Sequence, residues 1–337
     1  MTFDKTIIHE MKMPYAIDVM GPGPEPSVAC ATEDHGPMVR IDPPYREARP
    51  LVPGPGGCMS LAYDPSRPSD LYAVMGCFVG YKFQGAGIYR IREGGEPERV
   101  IDLPFAHRIG FARKGGRLVL LAASLTAGKK DPSDWSLPGG VYALDVGDDL
   151  GSATTLEPVL TSIHKNHGFL LTVLGGRRAL LIGASEGLLA VDLEAGPGWS
   201  TQRLLPAETS EVAAFDLNGD GEMELVTIEP FHGSALRAYK KSTAGWEVFW
   251  EAELDFGHCV LAGMVEGRRS VLVSSRAGRK ELLLFQFGPG ASARPRRIVV
   301  DEGAGAANML ILSSAGRDHI LSANQAAGQI VMYSPHD

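Results

Sequence analysis

Apolar residues in this chain come in short runs separated by glycine turns, and the runs recur. In "PERVIDLPFAHRIGFARKGGRLVLLAAS" a strand-like segment leads through a short loop to an apolar strand, a glycine hairpin and a second, almost wholly apolar strand. The same order returns in "EPVLTSIHKNHGFLLTVLGGRRALLIGASEGLLAVDL", in "WEVFWEAELDFGHCVLAGMVEGRRSVLVSSRAGRKELLLFQF" and in "RRIVVDEGAGAANMLILSSAGRDHILSANQAAGQIVMYS". A fifth copy is "STQRLLPAETSEVAAFDLNGDGEMELVTIEPFHGSALRAYKK", and fainter ones begin at "REARPLVPGPGGCMSLAYDP" and "DKTIIHEMKMPYAIDVM". Runs of four to eight Val, Ile, Leu and aromatic residues between glycine turns predict strands. No stretch of ten or more residues carries the apolar spacing of an amphipathic helix.

Seven units of four short strands result. Anchored where each inner strand begins, they start near Tyr15, Cys58, His107, His167, Glu211, His258 and Asn308, at separations of 43, 49, 60, 44, 47 and 50 residues. That period predicts an all-β, seven-bladed β-propeller of four-stranded blades, one domain spanning residues 1–337. The last unit supplies only three strands, "ANMLILS", "DHILSAN" and "QIVMYSP", while residues 4–10 form an orphan strand at the start. Joining them completes blade seven and closes the ring, which removes open sheet edges. Two β-sandwiches would be the competing arrangement, but the units do not change character at mid-chain.

Composition agrees and narrows the partners. Forty-one glycines and 23 prolines fit many turns. A net charge of −8 without a Lys/Arg block excludes nucleic acid as an expected partner. No run of 18 apolar residues is present to span a membrane, and the first residues lack the apolar segment of a secretory signal. The four cysteines, Cys30, Cys58, Cys77 and Cys259, form no CxxC pair, so the expectation is a reduced, cytoplasmic chain.

One hairpin is unlike the rest. "DLNGDGEME" places Asp216, Asn218, Asp220 and Glu224 at positions one, three, five and nine around a glycine turn, an oxygen set suited to calcium. Position twelve is Thr227, which rules out an EF-hand loop. The motif resembles the FG-GAP or VCBS repeat of integrin-type propellers. That resemblance implies a calcium loop on the face opposite the inner-strand starts, here over about ten residues only. An Asn-Asp-Gly turn without metal is the alternative.

The repeat register brings histidines together. The inner-strand starts read His107, His167, Glu211 and His258 in four consecutive blades, then Asn308. In a propeller these positions ring the axis, so three imidazoles and a carboxylate form a candidate site for a divalent transition ion such as Zn, Mn or Fe. Ordered channel water is the alternative occupant. The second-strand ends open on the same face: Glu33, Asp34 and His35; Tyr81 and Lys82; Glu186; Glu229 and His232; Arg276; Asn324 and Gln325. Blade three adds a long insert, "LTAGKKDPSDWSLPGG", with Lys129, Lys130, Asp131, Asp134 and Trp135. Long polar loops in compact folds are commonly functional, and Trp135 among charges suits the apolar face of a sugar ring.

A polar, concave face with metal ligands at its centre fits a small anionic or polyhydroxylated substrate better than a flat protein partner. The arrangement is similar to the propeller of aldos-2-ulose dehydratase and to propeller-type polysaccharide lyases. That similarity implies elimination, dehydration or isomerisation of a sugar-derived substrate. The expected roles are a metal on His107, His167, His258 and Glu211, a proton-abstracting base among His232, Tyr81, His35 and Lys130, and substrate contacts from Arg276, Trp135, Asn308 and Asn324. Metal-dependent hydrolysis of an ester or lactone is a close variant. A carbohydrate- or ligand-binding propeller without chemistry is the other alternative.

Overall fold

The computed structural model describes residues 1–78, 83–146, 155–288, 290 and 294–336. Among these, 28 strands pair into seven four-stranded antiparallel sheets, each a blade. Inner strands are Pro14–Val19, Ser60–Asp64, Ala106–Lys114, Gly168–Leu174, Glu211–Phe215, Gly257–Val265 and Ala306–Ser314. The first six sheets take their four strands in chain order. In the seventh, the N-terminal strand Thr2–Glu10 pairs with Gln329–His336, from Thr2 opposite His336 to Glu10 opposite Gln329. The closing strand is therefore two residues longer at its start than residues 4–10, and ring closure is as the repeat predicts.

The second strands explain the unbroken apolar runs. In Arg177–Ala184, Leu180, Ile182 and Ala184 pack against Val119, Leu121 and Ala123 of blade three, while Ala179 and Leu181 face Val212 and Leu225 of blade five. Both faces of such a strand are buried, so alternation disappears and nearly every position is apolar. The same interleaving continues around the ring, and Ile8 and Met11 join blades one and seven in one cluster. All four cysteines are free and buried in these layers. No helix of the described residues is long and apolar enough to cross a membrane.

The tight turn between the second and third strands of blade four leaves no room for a side chain. Gly187 has φ +113°, and a Cβ there would lie 2.1 Å from the carbonyl oxygen of Leu205. Gly187→Ala should therefore destabilise the protein by about 3 kcal/mol or more, because the left-handed backbone and a backbone clash add. Urea unfolding checks this.

Strand register sets which side chains reach the axis. Tyr15, His107, His258 and Ala307 each sit in a bulge where the inner strand shifts against its neighbour. A bulge re-aims the side chain it carries. The backbone N–H of His167, Ser210 and Met59 bonds at the same level in the other three blades. The upper axial ring is thus Tyr15, Met59, His107, His167, Ser210, His258 and Ala307. Glu211 and Asn308, expected in that ring, are one residue deeper, and Cys58 is one residue above it. Single-residue bulges and loop-length differences shift blades two, five and seven by one against the expected register, which a period near fifty residues does not resolve.

Candidate functional site

Three imidazoles converge at the axial end of the ring. One ligand nitrogen from each of His167, His232 and His258 can be chosen so that all lie within 4.8 Å of one another. His167 is in the loop entering the inner strand of blade four, His258 in the bulge of blade six, and His232 in the loop after the second strand of blade five. His232 holds a left-handed backbone, φ 47°, and its N–H bonds to Ser210 Oγ at 3.1 Å. A non-glycine residue in this region is uncommon, and here it turns the ring inward over the axis.

The outer contacts fix which nitrogen of each ring is available. His258 Nδ1 is 2.9 Å from the carbonyl oxygen of Ala307, which can only accept, so Nδ1 carries the proton and Nε2 the lone pair. His167 Nδ1 lies 2.6 Å from Glu211 Oε1, outside hydrogen-bond geometry, and the carboxylate's charge there favours the proton on Nδ1 and the lone pair on Nε2. His167 Nε2 is 3.4 Å from His232 Nε2. Two nitrogens bound at about 2.0–2.1 Å to one tetrahedral ion are about 3.3–3.4 Å apart, so this pair has ligand spacing. An imidazole backed by a carboxylate or carbonyl is the usual outer arrangement of a metal-bound histidine.

Electrostatics keep the rings neutral, as metal ligation requires. Burial holds His107 and His258 well below the usual histidine range and lowers His167; for His232 burial, helped by neighbouring His167, brings it down to about 2. Burial opposes ionisation of Glu211, but His167 and Arg108 outweigh it, and the carboxyl lies below its ordinary value. Arg108 donates to Glu211 Oε1 at 3.0 Å and to the Met59 carbonyl at 2.9 Å, and both charged side chains are largely buried, at 12% and 11% exposure. Glu211 thus supports His167 from below.

His107 is beside the cluster, its ring centroid 4.4 Å from that of His167, yet outside the convergent set. Its Nε2 is 3.5 Å from the Tyr15 hydroxyl, which is also 3.3 Å from His258 Nε2, and its buried Nδ1 has no hydrogen-bond partner among the described residues. The sequence register predicts His107, His167, His258 and Glu211 as ligands and His232 as a candidate base. The structure brings His232 into the same cluster because its loop folds back over the axis.

A polar wall stands on the second-strand ends of blades one, six and seven. Arg276 donates to Gln325 Oε1, Gln325 donates to Glu33 Oε2, and Arg276 is 3.9 Å from Glu33. Burial raises the Glu33 carboxyl, with Arg276 pulling the other way. Asn324 is turned inside blade seven, where it donates to the Tyr333 hydroxyl at 2.6 Å and accepts from Ser322 at 2.7 Å. The neighbouring Gln325 takes the outward position, a difference decided by strand alternation. Asn308 donates to the Tyr15 carbonyl at 2.9 Å and lines the channel beneath.

Aromatic rings rim the cluster. Phe231 stacks on His232 at 4.1 Å, Phe256 is 4.8 Å from His232, and Trp135 of the insert meets Phe231 edge-on at 5.2 Å. Lys129 lies 3.2 Å from the Trp135 ring centroid, a cation–π contact within the insert. Lys130 is exposed. His35 is exposed and stacks on Phe78 at 3.9 Å. Tyr81 and Lys82 lie outside the described residues.

The Asp-rich loop is the first hairpin of blade five, at the far end of its inner strand. Its oxygens already have donors. Asp216 accepts from the N–H of Gly219 and Gly221 and lies 3.6 Å from Arg269. Glu224 accepts from Leu217 N and Asn218 Nδ2, and Asp220 from Glu222 N and Asn218 Nδ2. The turn closes on its own hydrogen bonds, as Asx motifs do.

No protein-family model and no curated protein sequence matches the chain. Solved structures do. The Swd1 β-propeller domain of Myceliophteria thermophila aligns with TM-score 0.63 at 14% identity over 99% of this chain and 100% of that one. A candidate 6-phosphogluconolactonase from Bacteroides fragilis aligns with TM-score 0.57 at 11% identity over 93% and 87%. A GH74 xyloglucanase from Xanthomonas campestris gives 0.60 at 16% over 95% of this chain and 52% of its own. At such identities the likeness shows the propeller fold.

Proposed function

We propose that the axial cluster binds a divalent transition ion through His167, His232 and His258, and that the protein uses it as an enzyme on a small, oxygen-rich acidic or sugar-derived substrate. The observation that carries this is the convergence of three imidazoles, two buried and one half-buried, with the buried pair backed by an acceptor on the Nδ1 side of each ring. A bound ion would polarise a carbonyl or carboxylate oxygen and favour removal of a proton from the adjacent carbon.

The remaining residues fit that chemistry. Arg276 offers a guanidinium for a substrate carboxylate. Glu33, its carboxyl raised by burial, is placed for proton transfer, since a raised carboxylate is the better base near neutral pH. The Tyr15 hydroxyl, held protonated by burial, can donate to a substrate oxygen. Trp135, Phe231 and Phe256 provide apolar rims for a sugar face. Elimination, dehydration or isomerisation is the reaction class these groups support best.

Elemental analysis of the purified protein after incubation with Zn, Mn or Fe(II) should find about one ion per chain. A screen of keto-sugars and uronates should then show new ultraviolet absorbance from an unsaturated product. Saturable glycan binding without turnover, in metal-loaded protein, would instead make this a recognition module. Release of acid from lactones would mark the hydrolytic variant. Absence of any bound transition ion would remove the centre of the proposal.

A further inference from the structure

The axis also opens on the opposite face, where nothing in the metal site needs a pocket. Below the Arg108–Glu211 pair a cavity of ≈ 290 Å³ runs between the inner strands, and a second of ≈ 360 Å³ adjoins it toward the far end. Both are lined by Asp18, Ile109, Phe169 and Leu170, so they form one funnel. Its combined size is that of a small-molecule site.

The funnel's chemistry is uneven. The walls of its outer part are aliphatic and aromatic, with Tyr63 and Phe111 beside Phe169. At its inner end Arg108 and Glu211 neutralise each other. Asp18 has no ion pair among the described residues, and its Oδ1 accepts only from the adjacent N–H of Val19 at 2.7 Å. Carboxylates withdrawn from water are ordinarily paired or protonated. Asp18 is half-buried, and desolvation without an opposing cation raises its carboxyl to about 7.

We infer that this far-face funnel binds a small organic cation, a protonated amine whose head pairs with Asp18 and whose apolar body packs on Ile109, Phe169 and Leu170. The sign of the charge excludes an anion. A hard metal ion needs six or more oxygen ligands, and the funnel offers one carboxylate not already paired with a cation, Asp18, beside largely apolar walls. Aromatic rings beside a carboxylate are, in contrast, the setting in which ammonium groups are held.

The test uses the full chain and benzylamine as probe, with isothermal titration calorimetry and thermal shift. Benzylamine should saturate with a Kd on the order of 1 mM, as suits so small a ligand. Benzyl alcohol, its neutral counterpart, should bind at least about tenfold more weakly to the same wild-type protein. Asp18→Asn should weaken benzylamine by at least about tenfold and leave benzyl alcohol unchanged. This variant removes an unpaired, half-buried charge, so it should fold. No saturable benzylamine binding, equal binding of benzyl alcohol, equal binding by Asp18→Asn, or an equal stabilisation by potassium chloride would each overturn the inference. The comparison of the two probes on wild-type protein stands even if the variant misfolds.

Discussion

His167→Ala and His258→Ala should each lower transition-metal affinity by more than about 100-fold, leaving protein that no longer retains the ion through gel filtration. Loss of an outer partner of a metal-bound histidine alone costs about 10–100-fold, and these changes remove the ligand itself. Competition with a chromogenic chelator reads the affinity directly. His107→Ala separates two arrangements. Its ring touches His167 but stands outside the convergent set, so affinity should fall by no more than about tenfold. A loss as large as that of His167→Ala would instead make His107 a ligand, as the repeat register alone predicts. If all three variants bind metal like the wild type, the centre is elsewhere or does not exist.

Glu211→Ala should be the most destabilising change at the site, by about 3–5 kcal/mol, because Arg108 would be left as an unpaired buried cation. The same substitution removes the acceptor behind His167 Nδ1 and should weaken metal binding by about 10–100-fold. Glu211→Gln separates the two effects: it keeps the shape and a hydrogen-bond acceptor for Arg108 and loses the charge. Its stability loss should be smaller than that of Glu211→Ala while its metal affinity remains reduced. Urea unfolding of the metal-free proteins and chelator competition provide the two readouts. Equal stability of Glu211→Ala and wild type would mean that Arg108 finds another partner.

How far the site is legible in the sequence depends on the kind of contact. His167 and His258 recur at one point of a repeated unit, so period counting finds them. His232 also lies at a recurring point, the end of a second strand, but its entry into the cluster depends on a left-handed backbone and a loop folding over the axis. Glu211 is visible as a charged residue near the ring, and only the strand pairing shows it one step deeper, beneath His167 and against Arg108 from another blade. Asn324 and Gln325 are adjacent in sequence, and alternation alone sends one into blade seven and the other to the pocket. Asp18 gives no local signal at all. Its isolation is a property of the neighbouring blades that line the funnel.

The sequence by itself determines the all-β propeller, its seven blades, and closure by the N-terminal strand. Those follow from local patterning and from the period of the repeat, which each segment carries within itself. It also determines that several histidines gather near the axis. Tertiary structure alone decides which nitrogen atoms converge, which groups lie behind them, and which carboxylate is left without a cation. Such facts depend on ångström-scale separations between residues far apart in the chain, 243 positions for Tyr15 and His258 and 292 for Glu33 and Gln325. A single bulge moves a side chain from one axial layer to the next without altering the hydrophobic pattern that specifies the blade.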